Sequence, residues 1–229
     1  GIKVLFCNKY WLMITLTLVC IFIQYSLNGG AAVYYAKVVL HNAKLVGPMN
    51  LVASVVQIIA MFFTAFIIKR IGKRNMLIIG AIVYGLGFGM FQFVGTNYFG
   101  IMFASALKGI GNAGISSCMF AIVSDTIEYG EWKTGYRTEG LINSASSFGF
   151  KVGNGLGSAM LGWILALGNY AENAAVQSAS SVMAIKALFI YIPVAVAILQ
   201  IVIMLFYKLD KEYDGIVEDL RNGKDAKEA

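Results

Sequence analysis

The sequence predicts an all-α integral membrane protein of six transmembrane helices, on three observations. Of its 229 residues 59% are hydrophobic and only 13% charged, with mean hydropathy +0.72, outside the range of a soluble globular domain. Six apolar runs each approach or exceed the ~20 residues needed to span ~30 Å of hydrocarbon. None shows the period-two alternation of a barrel strand, so helices are left to satisfy the backbone in lipid. The 2 prolines and 25 glycines suit packed membrane helices.

In chain order the runs fall at 11–36, 45–68, 76–95, 98–124, 141–168 and 184–207, followed by a tail at 208–229. The first carries Gln24 and Asn28, the second Asn50, Ser54 and Gln57, and the fourth Lys108, Asn112 and Ser116. On a 3.6-residue period the fifth places Ser144, Ser147, Lys151, Asn154 and Ser158 on one stripe, with Gly149, Gly153 and Gly157 opposite, a wet face and a packing face. The third and sixth offer only Gln92 and Gln200, with Gly80 and Gly85 on the third and an aliphatic stretch at 198–205 on the sixth, and are expected to be peripheral and lipid-facing. Ile216, Val217 and Leu220 predict a short amphipathic helix in the tail.

Lysines and arginines set the orientation. Lys3, Lys9, Lys69, Arg70, Lys73, Arg74, Lys133, Arg137, Lys208 and Lys211 all fall in connections on one side, which the positive-inside rule makes cytoplasmic, with both chain ends there in the inner (cytoplasmic) cell membrane. The first run is too long for a signal-peptide core. The formal charge of +6 is explained by this topology and by anionic lipid, so nucleic acid is excluded as a partner. Cys7, Cys20 and Cys118 are isolated, which gives neither a disulfide framework nor a metal site. Trp11, Tyr34, Tyr35 and Tyr207 mark span ends and read as interfacial belt residues.

No enzyme motif survives. Gly109, Gly111 and Gly114 fit G-x-G-x-x-G but lie inside a span with no strand before them, and His41 has no nucleophile or carboxylate beside it. No cofactor is expected.

Lys108 and Lys151 both lie near mid-depth, where a charge costs ~3 kcal/mol on insertion scales and faces a cavity or a partner. All 12 acidic residues lie outside the apolar cores or at their ends. Lys151 is therefore expected to meet an acidic group from outside this chain or from a substrate. Polar faces on helices one, two, four and five, with three and six outside, fit one half of a carrier built from two six-helix halves. The candidate substrate and coupling residues are Lys151, Asn154, Ser147, Asn112, Lys108, Gln24, Asn28 and Gln57. Asp125, Glu128 and Arg137 are candidates for a cytoplasmic gate.

The stretch Asp125–Gly140 (Asp-Thr-Ile-Glu-Tyr-Gly-Glu-Trp-Lys-Thr-Gly-Tyr-Arg-Thr-Glu-Gly), followed by Phe-Lys-Val-Gly at 150–153, resembles the signature of the glycoside-pentoside-hexuronide:cation symporters, the melibiose permease family. The tail Tyr-Lys-Leu-Asp-Lys-Glu-Tyr at 207–213 is similar to that family's C-terminal end, and Lys-Arg-Ile-Gly-Lys-Arg at 69–74 to the basic inter-helix motif of the wider major facilitator superfamily. The resemblance covers essentially the whole chain. It implies the C-terminal half of a cation-coupled sugar symporter working by alternating access, with an N-terminal six-helix half as partner. It also implies that Lys151 stands between the sugar and a monovalent cation, sodium or a proton, held mainly by carboxylates of that other half. A lipid or amphiphile carrier on the same scaffold, or a non-transporting six-helix scaffold or sensor, is the alternative. The last leaves both lysines unexplained.

Overall fold

A computed structural model describes residues 8–135, 139–172, 174 and 176–222. The described residues form six long helices and one short one: α1 Lys9–Val39, α2 Ala43–Ile71, α3 Lys73–Val94, α4 Tyr98–Thr134, α5 Glu139–Leu167, α6 Ala179–Phe206 and α7 Leu209–Arg221. No strand occurs among them. Five are long and apolar enough to cross a membrane. The remaining long helix, α5, has 29 residues and thus about 43 Å of rise, with its apolar content diluted by the polar stripe.

The helix starts follow local chemistry. Asn8, Asn97 and Ser178 cap α1, α4 and α6, each accepting from backbone N–H groups of the first turn that have no partner in the helix. Gly72 separates α2 from α3 at φ +83, where a Cβ would also lie 2.8 Å from Asp210 Oδ2, so both conformation and space require glycine.

Neighbours in the bundle run α2, α4, α3, α6, α1, α5, with α2 and α5 at the ends of the series. The three glycines that mimic a dinucleotide motif are packing residues. A Cβ on Gly109 would meet the Ala53 carbonyl of α2, and one on Gly111 the Tyr84 backbone of α3, while Gly114 lies against Gly80. Gly149, Gly153 and Gly157 seat α5 on Leu18, Phe22 and Ser26 of α1, the packing face expected of them.

Three expectations need correction. The fourth helix does not stop at residue 124. It runs ten residues further, because Tyr129 packs edge-on against Tyr10, the Thr126 carbonyl accepts from Asn8, and Trp132 donates to Asp219. Trp11, Tyr35 and Tyr207 are buried rather than set in an interfacial belt. Tyr35 stacks on Phe189 with centroids 4.4 Å apart and donates its hydroxyl to the Phe91 carbonyl at 2.9 Å. The Tyr35–Phe189 contact joins two π-helical turns, Tyr35–Val39 in α1 and Ala187–Tyr191 in α6. Third, α3 and α6 do present apolar outer faces, but Phe88, Phe91, Phe189 and Gln200 on their inner faces are fully buried core. The tail helix α7 lies against α4 with Leu209 and Ile216 buried and Val217 and Leu220 half-buried.

Candidate substrate cavity

The polar residues of α1, α2 and α4 meet in a closed ring. Tyr25 donates its hydroxyl to Asn112 Oδ1 at 2.7 Å, Asn112 Nδ2 donates to Gln57 Oε1 at 3.0 Å, and Gln57 Nε2 donates to Ser116 Oγ at 3.4 Å. Ser116 Oγ closes the ring at 3.1 Å from the Tyr25 hydroxyl. The other three bonds fix the last proton. The tyrosine hydrogen is spent on Asn112, so the serine hydrogen points to the tyrosine oxygen and all four bonds run in one sense. In a low-dielectric core such a chain polarises cooperatively. All four side chains are half-buried, and each amide keeps one N–H outside the ring.

Lys108 lies deeper. It is 5% exposed, donates to Asn28 Oδ1, and sits over three rings, with its Nζ 4.3 Å from the Phe88 centroid, 4.9 Å from Phe189 and 5.5 Å from Phe91. Aromatic faces and one amide oxygen, rather than a carboxylate, surround the ammonium. Gln24 is enclosed as well. It is fully buried, donates to the Pro193 carbonyl at 2.8 Å and accepts from Gln200 at 2.9 Å, a tie between α1 and α6. Lys108 and Gln24 are thus enclosed within this bundle, whereas Asn28, Gln57 and Asn112 are half-buried.

On α5, Lys151 and Ser147 are exposed, and Lys151 has no hydrogen bond or ion pair among the described residues. Asn154 donates to the Phe150 carbonyl at 2.9 Å, and Ser26 of α1 reaches both the Asn154 carbonyl at 3.4 Å and Ser158 at 3.2 Å. The Lys151 face therefore borders α1 without contacting the Tyr25 ring. No cluster of acidic, histidine or cysteine side chains that could hold a metal is found among the described residues.

At the basic end of the bundle, Asp125 pairs with Lys73, at 2.6 Å from Oδ1 and 2.8 Å from Oδ2. Arg137, expected in this cluster, lies outside the described residues. The neighbours come instead from the α2–α3 junction and the tail. Arg74 receives Asp210 on its backbone N–H at 2.9 Å and donates its guanidinium to the Met204 and Leu205 carbonyls, both at 2.7 Å. Tyr213 lies 4.8 Å below the Lys73 ammonium, close to the Glu128 and Asp125 carboxylates. Burial pushes the Tyr213 phenol above its ordinary value, and those two carboxylates push it further.

Sequence reasoning passed over Tyr25, Ser26, Lys73 and Asp210. Tyr25 was findable, since it stands three residues before Asn28 on one helical face. Asp210 stands in the family-like tail at 207–213, but nothing marked it singly, because its partner is a backbone N–H 136 residues away.

The family described as MFS/sugar transport protein matches residues 1–211. Among individual proteins, the isoprimeverose transporter of Lactiplantibacillus pentosus is 31% identical, over 96% of this chain and 46% of its own length. The glucuronide carrier protein homolog of Escherichia coli (strain K12) is 31% identical over 95% and 48%. The uncharacterized symporter YjmB of Bacillus subtilis (strain 168) is 30% identical over 96% and 48%. The chain spans about half the length of the curated relatives it matches.

Proposed function

Because the chain belongs to the MFS/sugar transport protein family, we propose that it forms the C-terminal half of a cation-coupled sugar symporter working by alternating access. The carrying observation is the Tyr25–Asn112–Gln57–Ser116 ring, half-buried midway along helices that are otherwise apolar. Polar side chains in lipid are costly unless they line a cavity, and a ring that keeps spare amide donors suits a hydroxyl-rich ligand. The names of the relatives, an isoprimeverose transporter and a glucuronide carrier homolog, support a glycoside, pentoside or hexuronide.

The partner is an N-terminal six-helix half that completes the cavity and supplies most of the cation site, for sodium or a proton. Lys151, exposed on α5, faces that half and couples the two ligands. A charge shared by both sites makes cation binding alter sugar affinity and the reverse. The basic end, with the Lys73–Asp125 pair and the docked α7, is cytoplasmic and closes the inner side in one state.

The test is uptake of radiolabelled glycosides, pentosides and hexuronides by vesicles carrying this chain with its N-terminal continuation, with and without imposed sodium and proton gradients. Gradient-driven accumulation is expected, abolished in Lys151→Ala and weakened about tenfold in Tyr25→Phe, which leaves one ring acceptor unpaired at ~1–3 kcal/mol. Absence of accumulation for every sugar refutes the substrate assignment. Unchanged gradient-driven uptake in Lys151→Ala refutes the coupling role.

A further inference from the structure

Asn28 and Lys108 form a unit whose logic is fixed by hydrogen-bond chemistry. An ammonium has three donors and no acceptor. The Asn28 atom that faces Lys108 Nζ is its carbonyl oxygen, the end that an ammonium can bond. Its NH2 group is consequently turned away from Lys108. Among the described residues it has no protein partner, and Asn28 is half-buried, three residues along α1 from Tyr25 in the polar ring.

Lys108 in turn is held rigidly. Phe88 and Phe189 lie within 5 Å of its Nζ, so its remaining N–H groups are directed at ring faces, and its side chain does not reach the open side. Gly87 on α3 makes the room, since a Cβ there would lie 2.8 Å from Lys108 Cγ.

We infer that Lys108 is a positioning residue that locks Asn28 with its amide donor facing the cavity, so that Asn28 reads an acceptor oxygen of the sugar, a hydroxyl lone pair or a carboxylate. The inference rests on the sugar-transport reading. It removes Lys108 itself from contact with the substrate and gives Asn28 a definite polarity. Without the ammonium the Asn28 side chain turns freely and offers donor or acceptor without preference.

The experiment compares Asn28→Asp, Lys108→Met and Lys108→Arg in the full-length protein by KM and Vmax for the transported sugar and by thermal stability in detergent. Asn28→Asp keeps an acceptor for Lys108 and gains an ion pair, so its stability is maintained or raised, yet it presents an oxygen to the cavity where the donor stood. KM is expected to rise at least tenfold, with the larger rise for an acidic sugar than for a neutral one. Lys108→Met raises KM several-fold with Vmax largely kept, and Lys108→Arg restores KM to within about threefold of the parent. An unchanged KM in Asn28→Asp overturns the inference and leaves the pair a tie between α1 and α4. A raised KM in Asn28→Asp with a parental KM in a folded Lys108→Met overturns the positioning role. If Lys108→Met does not fold, a KM for Lys108→Arg as high as that of Asn28→Asp counts against it in the same way. Failure of the parent protein to take up any sugar overturns the transport reading, and this one with it.

Discussion

Neutralising the Lys73–Asp125 pair one side at a time should give unequal losses. The Asp125 side chain is 3% exposed and that of Lys73 29%. Asp125→Asn removes the buried charge and frees an ammonium that already reaches solvent, so the cost is about 1–2 kcal/mol, that of a charge-assisted hydrogen bond. Lys73→Met strands a buried carboxylate. The usual penalty for an unpartnered buried charge is about 3–5 kcal/mol. In the double variant no charge is stranded, so its cost should stay near that of Asp125→Asn alone, and the coupling should about equal the whole Lys73→Met loss, ~3–5 kcal/mol. The assay is reversible unfolding by denaturing-detergent titration of the purified protein in mixed micelles, on all four corners of the cycle. Strictly additive losses would mean that the two groups do not sense each other, and the ion pair would then play no part in joining the start of α3 to α4.

The buried amides and glycines give two further tests on the same titration. Gln24→Leu unpairs Gln200 Nε2 and removes the second donor to the Pro193 carbonyl, which its own helix already pairs, and should cost about 1–3 kcal/mol, more than Gln200→Leu, because Gln200 Oε1 has no partner to lose. The double leucine variant should cost no more than Gln24→Leu alone, and full additivity would refute the tie. Gly111→Ala drives a Cβ into the Tyr84 backbone and should lose about 1–3 kcal/mol, whereas Gly155→Ala, with nothing within 4 Å, should be neutral or slightly stabilising. Equal effects at the two glycines would refute the close α3–α4 crossing.

How far the sequence disclosed this arrangement depends on which physical signal each feature leaves. The all-helical class and the glycine face of α5 were legible, because bilayer thickness and helical period act on every residue of a run. The aromatic residues were not. Tyr35 and Tyr207 stand at span ends, where an interfacial belt and a buried contact have the same local signature, and only the apposition of α1, α3 and α6 separates them. Lys108 was recognised as exceptional but assigned to the cavity. Its rings, Phe88, Phe91 and Phe189, come from two other helices and look in sequence like lipid-facing residues. Asp125 was legible as a gate candidate, but its partner Lys73 and its neighbour Asp210 were not, because the three are up to 137 residues apart and Lys73 and Asp210 each read alone as a solvated charge.

The membrane polar groups divide by what they have left to give. Gln24 spends its amide on Pro193 and Gln200, and Lys108 spends its ammonium on Asn28 and the rings, so both act on the bundle itself. Asn112 and Gln57 use one N–H each to hold their places in the ring and keep the other, and Asn28 keeps its whole NH2. That second group is oriented before any ligand arrives. Ordering a rotamer-rich side chain costs about 0.5–1.5 kcal/mol at the moment of binding, so three amides fixed in advance spare the ligand a few kcal/mol. On the proposed sugar-transport reading, a site that must release its ligand on the other side gains from this, because affinity obtained through preorganisation needs few contacts and leaves few to break.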